Sequence, residues 1–326
     1  MSETTRQLHI GDCLRVLAER VADGAVDLVY LDPPFNSKAA YDSAFRTPDG
    51  VIRRRAFDDT WSWTADSERE FAELAGLDGA AAPRRLLETL LELYGPNDLA
   101  AYLVHLARRL LELRRALRPG ATLYLHCDPG AGHYLKVLLD AVFGVGGFRN
   151  EIAWCYTGPS AARRDFPRKH DTLLRYTKGD GFTFNADEVR VPYKALHTDR
   201  GRPEGRIWKS RGRLRDAEVR AAYLEQGKLV EDYWLDIPSG GHISVRERLG
   251  YPTQKPLKLL RRIIAASSNP GGVVLDPFAG SGTTAAAAEE LGRGWICIDI
   301  NPDAVELTRR RLTADHPNLE IETGSL

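Results

Sequence analysis

The chain has 326 residues, 43% of them hydrophobic, and its 45 Lys and Arg balance 45 Asp and Glu. That neutrality rules out nucleic-acid binding by bulk charge, so any such contact needs local segregation of basic residues. Cys13, Cys127, Cys155 and Cys297 are scattered without a Cys-x-x-Cys pair, which argues against a zinc site and a disulfide framework; with no signal-peptide pattern or membrane-length apolar run, a soluble cytoplasmic protein of one large or two modest domains is expected, with no metal and no membrane partner.

Gln7 to Asp12 reads as a short strand ending in an acid, Cys13 to Val21 as a helix, and Val26 to Leu31 as a buried strand, so the chain opens on a β-α-β unit. From Asn36 to about Ser67 the pattern turns irregular, with Phe45, Phe57, Trp61 and Trp63 among charges; Trp61 and Trp63 are expected to pin this loop to the core. Asp66 to Leu117 reads as helical, broken at Gly79–Pro83 and Gly95–Pro96, with Arg108, Arg109, Arg114 and Arg115 as a solvated face. Strands at Ala121–His126 and Glu151–Tyr156 flank a helix from Tyr134 to Phe143. Such alternation predicts an α/β fold with a doubly wound, mostly parallel sheet.

Composition shifts near Thr157. Between Ser160 and Arg215 there are 15 Lys and Arg against 7 Asp and Glu, interleaved with aromatic residues and densest from Arg206 to Arg215. One-sided charge in a neutral chain suggests a nucleic-acid face, with Arg206, Lys209, Arg211, Arg213 and Arg215 as phosphate ligands. Regular α/β text resumes near Gly250, with strands at Gly272–Asp276 and Trp295–Ile298, and the chain closes on Ile321–Glu322, read as a frayed end. These shifts divide the chain into 1–156, with a helical insertion at about 66–96, a basic region over 157–249, and 250–326.

Two stretches carry chemistry. The strand Val26–Leu31 runs into Asp32-Pro33-Pro34-Phe35-Asn36. Both prolines fix φ and lack N–H groups, so Asp32 is held extended at a stiff tip of acceptors beside an aromatic plane. At the carboxyl end of a strand, where open α/β sheets place their ligands, this tip suits a flat substrate that donates hydrogen bonds from an amino group. The second stretch is Asp276-Pro277-Phe278-Ala279-Gly280-Ser281-Gly282-Thr283, with Asp299 at the end of the next strand. Gly280-x-Gly282-x-x-Ala285 formally fits a dinucleotide fingerprint, which keeps a nicotinamide dehydrogenase in play, and the missing Lys removes an ordinary P-loop. Asp276 tips the balance, because a strand-end acid repels a pyrophosphate but attracts an ammonium, while Asp299 suits a ribose.

Asp32-Pro33-Pro34-Phe35 resembles the catalytic tetrapeptide of the amino-methyltransferases. With Gly11-Asp12 first, a basic region in the middle and the glycine loop last, the order resembles the permuted, beta-class DNA amino-methyltransferases over nearly the whole chain. That resemblance implies an S-adenosylmethionine-dependent methyltransferase sheet with an inserted target-recognition region. It implies Asp32, Pro33, Pro34 and Phe35 as catalytic, and Asp276, Phe278, Gly280, Ser281, Gly282 and Thr283 as the wall around the methionine end of the cofactor. Asp299 would hold the ribose, Asp12 the adenine amino group, and Thr253, Gln254 and Lys255 the approach to the loop, with Lys255 at the cofactor carboxylate. The partner implied is double-stranded DNA, with a homodimer and a cognate restriction endonuclease expected in addition. The target the resemblance implies is the exocyclic amine of a flipped base, and Asp at the first position of the tetrapeptide, as in the family, favours N6 of adenine over N4 of cytosine. An RNA base, a glutamine amide and a catalytically silent binding module are the remaining readings. The aromatic on the other side of the flipped base is open between Trp154, Tyr156 and Phe166.

Overall fold

The computed structural model describes residues 4–47, 50–160, 162–192, 208–209, 212–213 and 225–326. In chain order its elements are β1 (Arg6–Ile10), α1 (Cys13–Arg20), β2 (Val26–Leu31), β3 (Ala40–Thr47), β4 (Gly50–Asp58), α2 (Ala65–Glu73), α3 (Ala81–Tyr94), α4 (Asp98–Ala116) and β5 (Leu117–Cys127). There follow α5 (Gly132–Phe143), β6 (Phe148–Cys155), β7 (His170–Thr177), β8 (Arg190–Val191), β9 (Trp208–Lys209), β10 (Gly212–Arg213), β11 (Lys228–Leu229) and β12 (Tyr233–Trp234). The last stretch holds α6 (Leu257–Ser267), β13 (Val273–Asp276), α7 (Thr283–Glu290), β14 (Gly294–Asp299), α8 (Pro302–Asp315) and β15 (Glu322–Ser325).

A nine-stranded sheet in the order β12-β6-β7-β5-β2-β13-β14-β1-β15 forms the centre. Its pairs are parallel except where β7 lies antiparallel to β5 and β6. Alternation along β2 shows why the sheet is covered on both faces. Leu28 and Tyr30 pack with α6 and α7, while Val29 and Leu31 pack with α1, α4 and α5. A strand buried on both sides has no polar face, hence the nearly continuous apolar run. Each such Leu or Val withdrawn from water contributes roughly 1.5–3 kcal/mol. Helix starts follow their caps: Asn97 accepts the Ala100 N–H at the head of α4, and Asn301 with Pro302 opens α8.

The topology decides where function sits. β13 pairs with β2 on one side and with β14 on the other, and β14 pairs with β1. The last quarter of the chain therefore slots between its first two strands, and the regions 1–156 and 250–326 share one sheet.

Four expectations are corrected. The stretch 36–67 is not irregular: β3 and β4 form a hairpin, with Tyr41 stacked on Phe57 at 4.8 Å. Its charged sequence hides the alternation because the ribbon lies outside the main sheet. The region 157–249 is not wholly outside the core, since β7 and β12 are strands of the main sheet. Residues 322–325 are not frayed: β15 pairs in parallel with β1, and the Leu326 N–H reaches the Ile10 carbonyl at 3.0 Å. Glu-Thr-Gly-Ser carries no apolar pattern, so only backbone pairing defines this strand. Arg109 is buried, not solvated, as described below. Among the described residues, no helix is long and apolar enough to cross a membrane.

Candidate active site

The carboxyl ends of β2, β13, β14 and β1 lie side by side, and each carries an acid. In spatial order these are Asp32, Asp276, Asp299 and Asp12, all lining one cavity of roughly 370 Å³. Two motifs more than two hundred residues apart in sequence thus share one site at the sheet edge where α/β folds bind ligands.

At the β2 tip, Asp32 is held on two sides. Its Oδ2 accepts a hydrogen bond from Lys255 Nζ at 2.5 Å, and its Oδ1 is buried, with no hydrogen-bond partner among the described residues, 3.7 Å from His126 Nδ1. The segment after the prolines is fixed from a distance. The backbone N–H groups of Phe35, Asn36 and Ser37 all donate to the Asp59 carboxylate, at 3.1, 2.7 and 2.9 Å. Asp59 closes β4, is only 2% exposed, and also receives the Trp61 indole N–H at 3.4 Å. Asn36 has φ 61°, a left-handed turn that Asn tolerates and that aims these amides at one acceptor.

Beneath Phe35 sits His126, fully buried, with ring centroids 5.5 Å apart. With Nε2 donating to Asp171 Oδ2 at 3.2 Å, Nδ1 is left to accept the Tyr30 hydroxyl at 2.8 Å. Asp171 also accepts the Tyr156 hydroxyl at 3.0 Å. Burial pushes against ionisation of Asp171, yet His126, Lys255 and Tyr156 together hold its carboxyl below the ordinary value. The floor under this tip is thus a polar network from β2, β5, β7 and Tyr156, the residue after β6.

The neighbouring corner is built differently. Asp276 is 3% exposed; it accepts the Thr284 hydroxyl at 2.5 Å and the Phe278 N–H at 3.0 Å. Burial pushes its carboxyl up to about 7, those two hydrogen bonds pull against the rise, and the charges of Asp32 and Asp299 add to it. Asp299 accepts the Gly280 N–H at 2.8 Å and the Asn301 N–H at 2.8 Å, and burial raises its carboxyl too. Gly280 and Gly282 take φ of 52° and 70°. A Cβ on Gly282 would overlap the Thr308 side chain, and one on Gly280 would crowd the Tyr251 ring. The loop is tied to α8 by Arg311, which donates to the Ser281 carbonyl and the Thr283 hydroxyl.

At the far end, Asp12 caps α1 through Oδ1 and pairs through Oδ2 with Arg109 at 2.6 Å. Arg109 is 3% exposed and also lies 3.7 Å from Glu70. The cavity therefore runs from the acceptor tip at Asp32, past a deeply buried acid at Asp276, to Asp299 and the Asp12–Arg109 pair. Its acid-rich inner wall suits a ligand with an ammonium and ribose hydroxyls, and disfavours a pyrophosphate.

All the expected catalytic residues, Asp32, Pro33, Pro34 and Phe35, line this cavity, as do Asp12, Thr253, Gln254, Lys255, Asp276, Phe278, Gly280, Ser281, Thr283 and Asp299. Gly282 stands just behind, at the head of α7. Two of these side chains have partners within the chain. The Gln254 amide is engaged with the Glu247 carbonyl and the Leu249 N–H, so it braces the approach segment. Lys255 lies on Asp32. Of the expected phosphate ligands, Arg206, Arg211 and Arg215 fall outside the described residues, and Lys209 and Arg213 are placed only as backbone of the β9–β10 ribbon. None of Trp154, Tyr156 and Phe166 lines the cavity: Trp154 is buried on the Ile237 carbonyl, Tyr156 is held by Asp171, and Phe166 is 98% exposed. The hairpin supplies Tyr41 and Phe57 instead, and the segment after it Trp61. Asp59, His126, Asp171, Arg109 and Tyr251 were missed as site residues. A polar His126 inside an apolar strand and the Asp58-Asp59 pair were the available signals; Asp171 and Arg109 gave none.

A DNA methylase family model of the N6/N4 methyltransferase type matches residues 26–310. The chain is similar to the type II methyltransferase M.HpaI of Haemophilus parainfluenzae, 32% identical over 210 residues, covering 63% of this chain and 58% of that protein. It is similar to the type II methyltransferase M.EcaI of Enterobacter cloacae, 30% identical over 261 residues, covering 65% of this chain and 57% of that protein. The chain thus spans a little over half the length of these two curated relatives. Among solved structures, the fold matches TTHA0409 of Thermus thermophilus, assigned as a DNA modification methylase, in complex with S-adenosyl-L-methionine (TM-score 0.54, 20% identity, 98% of each chain). It also matches the cytosine-N4-specific PvuII DNA methyltransferase (TM-score 0.57, 14% identity, 99% of this chain and 98% of that one). The nicotinamide dehydrogenase left in play by the glycine pattern is thereby set aside. Matched by the family model over most of its length, the chain belongs to the N6/N4 DNA methylase family.

Proposed function

We propose that the protein is an S-adenosylmethionine-dependent DNA methyltransferase acting on the exocyclic amine of a flipped base, with N6 of adenine as the target. One observation carries this reading: the acceptor tip of Asp32, Pro33 and Phe35 and the acidic corner of Asp276 and Asp299 open into the same cavity. S-adenosylmethionine, when bound, supplies an electrophilic methyl group. Asp276 meets its ammonium, Asp299 its ribose, and Asp12, steadied by Arg109, the adenine edge. The chain's own part begins with the base, which must leave the duplex at a cost of a few kcal/mol because its amine is unreachable inside the stack. Phe35 stacks on the extruded ring and offsets part of that cost. The carboxylate of Asp32 and the carbonyl of Pro33 accept the two amino hydrogens and turn the nitrogen lone pair toward the methyl donor. As the nitrogen gains positive charge these contacts strengthen, and the proton it then releases departs along the hydrogen bond to Asp32.

The type II assignment of both relatives supports a sequence-specific site on double-stranded DNA and a cognate restriction endonuclease. The preference for adenine rests on the Asp at the head of the tetrapeptide. Asp32→Ala should abolish methyl transfer while retaining cofactor binding; normal turnover by this variant would remove the proposal. Nucleoside mass spectrometry of DNA from cells expressing the protein should reveal N6-methyladenine, and N4-methylcytosine in its place would move the target to cytosine.

A further inference from the structure

The contact between Lys255 and Asp32 sits awkwardly with the chemistry just described. Oδ2 of Asp32 carries the Lys255 ammonium at 2.5 Å, and Oδ1 is buried against His126. A base amine entering the tip finds one carboxylate oxygen taken and the other buried. The same ammonium lies 5.3 Å from the centroid of the Phe35 ring, on which the base is to stack. Lys255 therefore occupies both halves of the base site, the acceptor and the stacking plane. It would also oppose catalysis electrostatically, since a fixed cation beside a nitrogen that becomes cationic raises the barrier.

We propose that Lys255 stands in for the substrate amine until the cofactor arrives, and that the carboxylate of the bound cofactor draws its ammonium off Asp32, so that cofactor binding arms the site for the base. This rests on the functional reading above and adds an order to it: cofactor first, base second. The local construction favours a change of partner by the side chain alone. The Lys255 carbonyl accepts the Thr283 hydroxyl at 3.3 Å, its neighbour Gln254 is braced on both sides, and Pro256 caps α6. With the backbone pinned between the two halves of the cavity, rotation of the flexible four-carbon stem is what remains. Asp276 offers the ammonium no comparable alternative, because its carboxylate already takes the Thr284 hydroxyl and the Phe278 N–H.

The hand-over makes an unusual demand: weakening the ion pair should improve cofactor binding. Calorimetric titration with S-adenosylhomocysteine, which keeps the carboxylate, and with 5′-methylthioadenosine, which lacks the whole amino-acid end, reads it directly. Asp32→Asn should bind S-adenosylhomocysteine about five- to tenfold tighter than the wild type, the size of an ordinary coupling between sites. Binding of 5′-methylthioadenosine should be unchanged, and the gain should vanish when Asp32→Asn is combined with Lys255→Met. Equal or weaker binding of S-adenosylhomocysteine by Asp32→Asn overturns the hand-over and leaves the methyltransferase reading standing. Failure of the wild type to bind S-adenosylhomocysteine overturns both. A crystal structure of the wild type with S-adenosylhomocysteine is an independent check that needs no variant: Lys255 Nζ out of hydrogen-bond reach of Asp32 supports the proposal, and a retained ion pair sinks it.

Discussion

The tips of β2 and β13 are spelled almost alike, Asp-Pro-Pro-Phe and Asp-Pro-Phe, and stand on adjacent strands, yet their acids live in different settings. Asp32 has a cation on one oxygen, while the other is buried with no hydrogen-bond partner among the described residues. Asp276 has two hydrogen-bond donors and, among the described residues, no cation, and its carboxyl is pushed up to about 7 by burial. The turns that follow are also held by opposite means. After Asp32 the chain is clamped from outside by Asp59, the residue after β4, whereas after Asp276 the turn is closed by Asp276 itself and by Asp299 of the next strand. What an Asp-Pro tip does is thus decided by the groups that arrive over it, and these come from remote parts of the sequence.

The sharpest way to break this contrast is at the clamp. Asp59→Ala would leave three backbone N–H groups without their shared acceptor, at an expected cost of about 2–4 kcal/mol in chemical denaturation. Methyl transfer should fall with it, while S-adenosylhomocysteine binding, which belongs to the other tip, should persist in the folded fraction. Loss of both functions in parallel would show that the two tips are not separately held. Gly282→Ala attacks the second turn: with φ at 70° and Thr308 in the way, it should cost roughly 1–3 kcal/mol, partly recovered by adding Thr308→Ala. The third effect is in pH. Because the folded carboxyl of Asp276 titrates at about 7, against about 3.9 in an unfolded chain, the ligand-free protein binds an extra proton between those values. Its stability should therefore fall as pH rises from about 4 to 7. Affinity for the ammonium of S-adenosylhomocysteine should run the other way, weakening by up to about tenfold per unit as pH drops below 7. Asp276→Asn should flatten both slopes, and a slope surviving in that variant would assign it elsewhere.

Sequence and structure agree best where burial writes a periodic pattern. The strands Val26–Leu31 and Val273–Asp276, the helix breaks at Gly79–Pro83 and Gly95–Pro96, and the acids at four strand ends are legible because an apolar run or a turn residue marks each one. The hairpin β3–β4 and the edge strand β15 are not, since neither shows the continuous apolar run of a strand buried on both faces. The same limit applies within the site. Asp32 and Asp276 announce themselves through the prolines that follow them. Asp171 and Arg109 carry no local mark and Asp59 only the acid beside it, because what each one does is set by partners 45, 97 and 22 to 24 residues away. Lys255 was read from its motif position as a cofactor contact, and its ion pair with Asp32, 223 residues away, is a partner that the motif does not mark.

The slotting of β13 and β14 between β1 and β2 also constrains how the protein is made. During synthesis the first two strands emerge almost at once, but the pair that must bridge them is translated some two hundred and fifty residues later. Until then each presents an open edge, the feature that invites wrong pairing between nascent chains. The arrangement that brings donor and acceptor corners together therefore leaves the ribosome-bound chain reliant on something to shield those edges.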